Sequence, residues 1–163
     1  MKPIALLSAL AVLVFASSAG AQNASQISAV RNGANCPRCN LFQADLSNLT
    51  LKNKNLAGAR LRQADFSTAV MNRTRFTGGD LRDVNAYGAV MTGASFARAD
   101  LTNASFVGAY LQGANFSGAR LSGANFSGAE MDRAIGLTQA QLDQACGDGS
   151  TYLPGNLRIP LCR

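Results

Sequence analysis

The chain has 163 residues, a formal net charge of +6 at pH 7 and no His. The lack of His removes the commonest general base and the commonest metal ligand, so we expect no catalytic residue, metal or cofactor. The length suits a single domain, and an apolar content of 47% is enough to fill a core.

The N-terminal segment, positions 1–21, has the pattern of a secretory signal peptide. Lys2 precedes the apolar run Ile4–Ala16, and the small residues Ala19-Gly20-Ala21 close the segment. The apolar run is short for a membrane span, although an uncleaved anchor is the alternative. We therefore expect a mature chain that starts near Gln22 and lies in the bacterial periplasm or outside the cell.

Residues 22–40 are expected to form an N-terminal cap over the repeat that follows. They are mostly polar and small, and they contain the motif Cys36-Pro37-Arg38-Cys39. Such a motif can be a thiol–disulfide redox site, which usually lies at the start of a helix. No helical pattern follows Cys39, so a structural disulfide is favoured and a redox protein acting through Cys36 and Cys39 is the alternative.

Residues 41–135 carry a large apolar residue at every fifth position, and Ala86 is the only small member of the series. A helix requires a period near 3.6 and a strand a period of about 2, so neither fits. A short repeat over many units is typical of a solenoid, in which each unit stacks on its neighbours. The series is Leu41, Leu46, Leu51, Leu56, Leu61, Phe66, Met71, Phe76, Leu81, Ala86, Met91, Phe96, Leu101, Phe106, Leu111, Phe116, Leu121, Phe126 and Met131.

From Leu61 onward, aliphatic residues and Phe alternate in this series. Because like residues stack best directly above one another, one coil must contain an even number of five-residue units. Two units cannot enclose a core, so four units, or about 20 residues, make the smallest workable coil. The alternation also predicts that Phe faces Phe across the core.

Four segments resemble a known motif. Ala44–Asn48, Ala99–Asn103, Ala114–Gly118 and Ala124–Gly128 read ADLSN, ADLTN, ANFSG and ANFSG. They are similar to the A(D/N)LXX motif of the pentapeptide repeat family, and the resemblance implies an all-β solenoid, a right-handed quadrilateral β-helix. The sequence departs from the motif at Leu49, Lys54, Thr74, Gly79, Val84 and Ala86. We expect local distortion of the coils at these positions.

Residues 136–163 predict a short C-terminal capping helix followed by an extended tail. Thr138-x-x-Gln141 has the form of a capping box, and Gly147 is placed to end the helix. Leu142, Ala145 and Cys146 would share one helical face that covers the last coil.

The four Cys allow three disulfide pairings. Nearly five coils separate the two Cys pairs. Because coils stack at about 4.8 Å each, the two pairs lie on the order of 20 Å apart. A disulfide requires Cα atoms within about 7 Å. The sequence therefore predicts Cys36–Cys39 and Cys146–Cys162, and export makes their oxidation expected.

One side of the predicted coil carries Val70, Val90 and Tyr110, which recur once per coil. Tyr87 and Val107 lie near the adjoining corner. Each of the first three precedes an inward residue and so should point outward. An exposed apolar column on a polar rod is a candidate surface for a protein partner or a homodimer. The alternative is that such residues merely favour a strand-like wall.

Basic residues gather in the early coils, where they could attract an anionic component of the cell envelope. They are Lys52, Lys54, Arg60, Arg62, Arg73, Arg75 and Arg82. Nucleic acid is not favoured, because stacking aromatics are not interleaved with them. Members of the family that protect gyrase from quinolones resemble DNA in shape and negative charge, and a basic chain with an expected signal peptide does not fit that role.

The sequence as a whole predicts a non-enzymatic protein that presents a rigid surface to a protein partner. A core filled by its own side chains leaves no cavity for a small substrate. Paired carboxylates are not expected to act as acid and base, because Asp45, Asp65, Asp80 and Asp100 lie beside inward residues and should face water. A binder of anionic envelope components and a thiol–disulfide protein are the two alternatives.

Overall fold

The computed structural model describes residues 21–163, in which positions in successive coils pair as parallel bridges at every fifth residue. The first four pairs are Asn40 with Arg60, Asp45 with Asp65, Thr50 with Val70, and Asn55 with Arg75. In the first of them the Leu41 N–H donates to the Arg60 carbonyl at 2.8 Å, and the Arg60 N–H donates to the Cys39 carbonyl at 2.8 Å. The chain is therefore a four-sided solenoid, and the predicted coil of four repeat units is confirmed.

Each side of a coil pairs through isolated bridges, so the walls are four ladders rather than extended strands. We number the sides 1 to 4 in chain order, which places side 1 opposite side 3. Side 1 holds Asn40, Arg60, Asp80, Asp100 and Arg120, and side 2 holds Asp45, Asp65, Asn85, Ser105, Asn125 and Cys146. Side 3 holds Thr50, Val70, Val90, Tyr110, Glu130 and Tyr152, and side 4 holds Asn55, Arg75, Ser95, Asn115 and Ile135.

A tight turn forms each corner between sides. At the first corner after side 1, the Ala44 N–H donates to the Leu41 carbonyl at 3.0 Å, and Gln43 has a φ of 53°. A positive φ at the third turn residue is the requirement of a type II turn, which Gly meets without strain. The corner glycines from Gly108 through Gly128 meet this requirement, with φ between 66° and 70°.

The inward residues form a core in which Phe rings stack along the axis and meet across it. Phe76 and Phe96 stack with ring centroids 5.2 Å apart, and Phe106 and Phe126 stack at 5.3 Å. Phe96 also meets Phe106 edge to face at 5.6 Å, so the predicted contact of Phe with Phe across the core is confirmed.

The ladders continue where the sequence departs from the motif, and a local change is present at one corner, where the Thr74 hydroxyl bridges the Lys54 N–H and the Leu51 carbonyl. Val84 and Ala86 are both buried, and the bridges from Asp65 to Asn85 and from Asn85 to Ser105 continue through their coil. Gly79 is likewise followed by the regular bridge between Asp80 and Asp100. The backbone ladder therefore accepts these changes of side-chain size.

An N-terminal helix, α1 (Ala24–Arg31), covers the first coil. Asn23 caps it by accepting a hydrogen bond from the Gln26 N–H at 3.1 Å, and Val30 is fully buried against the core. The Gln26 side-chain oxygen accepts from the Asn40 N–H at 2.7 Å, which gives the first ladder a partner at its open edge. The sequence predicted a cap in this segment but not a helix.

The C-terminal end is covered by α2 (Gln139–Leu142), which has the predicted capping box between Thr138 and Gln141. Leu142 and Ala145 are buried. The predicted helical face of Leu142, Ala145 and Cys146 is wrong, because Ala145 and Cys146 follow the end of the helix and Cys146 pairs with Asn125 on side 2. The prediction that Gly147 ends the helix is wrong, because the helix ends at Leu142 and Gly147 instead pairs with Leu161 of the tail. The tail therefore adds a last bridge to the end of the solenoid.

Between residues 21 and 163, no helix has both the length and the hydropathy to cross a membrane. The predicted signal peptide lies outside the described residues except for its last residue, Ala21.

Candidate interaction surface

Side 3 carries the predicted apolar residues in one continuous ladder. Val90 pairs with Val70 below it and with Tyr110 above it. Val70 and Val90 are half-buried, and Tyr110 is 43% exposed. We call these three residues the apolar ladder.

Side 3 gains one more aromatic residue beyond those that the sequence indicates. Above Tyr110, Glu130 pairs with Tyr152, which is 63% exposed. The segment containing α2 lies between them and shifts the register, since the regular repeat would place Ser150 above Glu130. No periodic signal could therefore have placed Tyr152 there, and side 3 carries two exposed Tyr toward its C-terminal end.

Tyr87 and Val107 lie where the sequence places them, at the corner between sides 2 and 3. The Thr68 N–H donates to the Tyr87 carbonyl at 2.8 Å, and the Gly88 N–H donates to the Val107 carbonyl at 2.9 Å. These bonds stack the two residues in neighbouring coils beside the apolar ladder. Tyr87 is 58% exposed and widens the apolar surface at the middle coil.

On the other sides, Asp and Asn side chains accept a hydrogen bond from the backbone N–H two residues later, in the corner that follows them. The sequence analysis did not predict this role. The Asp45 carboxylate accepts from the Ser47 N–H at 3.1 Å, and the Asn125 side chain accepts from the Ser127 N–H at 2.9 Å. This is an Asx turn, which gives the repeat a local reason for Asp or Asn at this position. The ladder of side 3 contains neither residue type, so its Val and Tyr have no such local role.

The charges beside the apolar ladder differ between its two ends. Toward the N-terminal end, Lys52, Asn53, Asn72, Arg73 and Thr92 line a shallow hollow of about 270 Å³ at the corner between sides 3 and 4. Toward the C-terminal end, Gln112, Glu130, Asp132 and Tyr152 line a second hollow of about 380 Å³. One end is therefore basic and the other acidic.

The predicted basic residues do not form one patch, because the coil distributes them over different sides. Arg82 binds Asp80 with two hydrogen bonds of 2.7 Å, and this contact holds the pKa of the Asp80 carboxyl below its usual value. Arg62 binds Asp83 at 3.2 Å. These two cations lie at the corner after side 1, near Arg60 on that side, whereas Lys54 and Arg75 lie along side 4.

Both predicted Cys pairs are at disulfide distance, with Cα separations of 5.5 Å for Cys36–Cys39 and 4.8 Å for Cys146–Cys162. Cys36 and Cys39 take the large and small inward positions of a corner, and each is only 8% exposed. The regular ladder thus begins one unit before Leu41, since the Cys36 N–H already donates to the Asn55 carbonyl at 2.9 Å. In thiol–disulfide enzymes the Cys pair typically lies at the start of a helix. Cys36 and Cys39 do not, because no helix begins at either residue.

Within residues 21–163, no three side chains of His, Cys, Asp or Glu lie close enough together to hold a metal ion. Several of the acidic side chains instead accept hydrogen bonds from backbone N–H groups or form ion pairs with Arg. Asp148, for example, accepts from the Gly128 and Ser150 N–H groups at 3.0 and 2.9 Å.

Comparison with known proteins identifies the repeat. The profile of the family described as Pentapeptide repeats matches in eight copies that together span residues 39–146. A comparison with curated proteins found no match. A pentapeptide repeat protein of the Arabidopsis thaliana thylakoid lumen is 29% identical, with 70% of this chain and 60% of that chain covered and a TM-score of 0.32.

Two further solved structures are similar. The pentapeptide repeat protein Rfr23 of the cyanobacterium Cyanothece is 21% identical over 80% of this chain and 98% of that one, with a TM-score of 0.37. HetL of the cyanobacterium Nostoc, a pentapeptide repeat protein involved in the regulation of heterocyst differentiation, is 20% identical over 83% and 92%, with a TM-score of 0.20. Because the family profile matches well over half of the sequence, this chain belongs to the pentapeptide repeat family.

Proposed function

We propose that the protein is a non-enzymatic interaction module that binds a protein partner through side 3, in the bacterial periplasm or outside the cell. The observation that carries this proposal is the apolar ladder, which is continuous over three coils of side 3. Apolar patches of this kind mark contact surfaces. Pentapeptide repeat proteins are generally structural or interaction modules, which agrees with it.

The proposed location rests on the sequence of positions 1–21 and on the Cys pairs. Lys2, the apolar run Ile4–Ala16 and the small residues up to Ala21 follow the order of a secretory signal. Disulfides persist in oxidising compartments, and all four Cys are placed to form them. Cell fractionation, with N-terminal sequencing of the recovered chain, tests this part of the proposal.

The interaction surface is tested by crosslinking in cells followed by recovery of the protein with its partners. Val90→Lys/Tyr110→Lys should abolish capture, because two charges would then lie on the apolar ladder. Ser95→Lys/Ser105→Lys adds the same charges to sides 4 and 2 and should leave capture intact. If both variants fold and capture the partner equally well, the proposal that side 3 is the contact surface is refuted.

A second candidate function is the binding of an anionic envelope component. The hollow lined by Lys52 and Arg73 favours it, because in the described part of the chain neither cation takes part in an ion pair. Binding to vesicles that contain phosphatidylglycerol should then weaken with salt and in Lys52→Gln/Arg73→Gln. Binding that is equal for the variant and the native protein would remove this candidate.

A further inference from the structure

The charges on side 3 and at its corner with side 4 are opposite at the two ends of the solenoid, with the apolar ladder between them. Lys52 and Arg73 belong to the first and second coils, and Glu130 and Asp132 belong to the fifth. Lys52, Arg73 and Asp132 are exposed. At about 4.8 Å per coil, Lys52 and Asp132 are roughly 19 Å apart along the solenoid axis.

We propose that side 3 binds side 3 of a second copy of this chain, with the two solenoids antiparallel. The inference rests on the proposed function, since it names the partner of that same surface. A homodimer contact is isologous, so residue A meets residue B of the second copy and the reverse contact is present too. The surface must therefore be complementary to itself.

The antiparallel arrangement gives this complementarity. Its two-fold axis lies in the contact plane, perpendicular to both solenoid axes, and passes at the level of Val90. The operation superposes the first coil on the fifth, so Lys52 faces Asp132 of the second copy. It also places Val70 against Tyr110 of the second copy, and Val90 against its own equivalent.

The neighbouring corner fits the same axis. Tyr87 lies in the middle coil, at the corner before Val90, so the two-fold brings the Tyr87 residues of both copies to one level. This gives a reason for the exposure of 58% of this side chain. A parallel two-fold would instead place the Lys52 corner against the corner of Ser47 and Asn48, where no charge lies opposite.

Arg133 is a cation at the acidic end and has the same charge as the Lys52 that would approach from the second copy. Its Nε lies 3.7 Å from Asp132. It is 83% exposed, and its contact with Asp132 is open to solvent, so it competes weakly with a cation from a second copy. The Glu130 carboxylate also accepts a hydrogen bond from the Gln112 side chain, which holds it at the face.

The dimer should be reversible rather than permanent. Bridges recur at every fifth residue, so each side of the coil is narrow. The contact then falls in the size class below about 1,200 Å² in total, which is typical of transient complexes. Charge pairs at its edge should also make it sensitive to salt.

Sedimentation velocity of the purified protein over a range of concentrations tests the inference. We expect a monomer–dimer equilibrium that weakens when salt is raised. Lys52→Glu should raise the dissociation constant about tenfold or more, because each reversed charge then faces Asp132 of the second copy. Lys52→Glu/Asp132→Lys should restore the native value, since both contacts are again between opposite charges.

Arg120→Glu on side 1 is the matched control and should not change the dissociation constant, because side 1 is opposite side 3. A protein that stays monomeric at all concentrations, or a double variant as weak as the single one, would overturn the inference. If the protein is monomeric but Val90→Lys/Tyr110→Lys still abolishes capture of another protein in cells, the proposed function stands and only the self-association fails.

Discussion

The Thr74 hydroxyl donates a hydrogen bond to the Leu51 carbonyl at 2.6 Å, within the fully buried interior of the solenoid. The same oxygen accepts from the Lys54 N–H at 3.3 Å. At the next corner the equivalent groups bond directly, from the Ala59 N–H to the Leu56 carbonyl at 3.1 Å. Thr74 therefore bridges the turn of the coil before it, which explains why this wall accepts Thr in place of Ala.

Thr74→Val should lower the free energy of unfolding by about 1–3 kcal/mol, because it leaves a buried carbonyl and a buried N–H without their bridge. Thr74→Ser keeps the hydroxyl and should cost less. Chemical denaturation at neutral pH measures both. A Val variant within about 0.5 kcal/mol of the native protein would show that the corner closes without the hydroxyl.

Val84 and Ala86 provide a second stability prediction. Val84 is larger than the Ala found at most equivalent positions, Ala86 is smaller than the Phe above and below it, and both are buried. Ala86→Phe alone should destabilise by about 1–3 kcal/mol through overpacking. Combined with Val84→Ala it should recover, giving a coupling energy of about 0.5–3 kcal/mol in a double-mutant cycle. Additive effects would mean that the two residues do not share one volume.

Acid should destabilise the protein partly through Asp80. Its pKa in the folded state lies below the usual value of 3.8, first because of the hydrogen bonds from the Arg82 side chain. The ionised carboxylate therefore stabilises the fold above its unfolded pKa, and this contribution is lost as the pH falls through the folded value. Unfolding measured between about pH 5 and about pH 2 should show a smaller loss of stability for Asp80→Asn than for the native protein.

Asn at position 80 keeps one acceptor oxygen for the Arg82 backbone N–H, but its amide nitrogen cannot accept the second guanidinium bond, so the variant removes the charge and that bond together. Arg82→Gln should flatten the acid dependence in the same direction, because Asp80 then loses its main donor. If both variants keep the native slope, the ion pair contributes nothing to acid stability.

The two Cys pairs should differ in what their loss costs. Cys146 and Cys162 are 16 residues apart and tie the tail to the last coil, whereas Cys36 and Cys39 are three apart. In the chain-entropy account, loops of these lengths stabilise by about 3 and about 2 kcal/mol respectively. Cys146→Ser/Cys162→Ser should therefore melt lower than Cys36→Ala/Cys39→Ala. A non-reducing peptide map that linked the two ends within one chain would contradict both pairs and the rod.

The coil can be predicted from the sequence because most inward positions are marked by the size of their residue. The alternation of Leu and Phe every fifth residue gives both the four-unit coil and the contact between Phe96 and Phe106. The same register could have shown that Arg62 lies near Asp83, since their side chains lie at one corner in successive coils. That pairing removes part of the predicted basic patch.

Other features have no periodic signal. Helix α1 packs Ile27 and Val30 on the core, and two apolar contacts leave only a weak pattern in the sequence. Tyr152 reaches side 3 because the segment containing α2 returns the chain to that ladder, which depends on three-dimensional packing. The Asx turns were also missed, because position in the repeat alone predicts a solvated carboxylate beside each inward residue.

Site-specific photocrosslinking in cells tests most directly whether side 3 is the contact surface. A photoreactive phenylalanine analogue would replace Tyr110, which is 43% exposed on side 3, and in a separate strain Arg120, which is exposed on side 1. We predict adducts from position 110 and none from position 120, with a mass of two chains if the partner is a second copy. Adducts of equal yield from both positions, or none from position 110, would contradict the account.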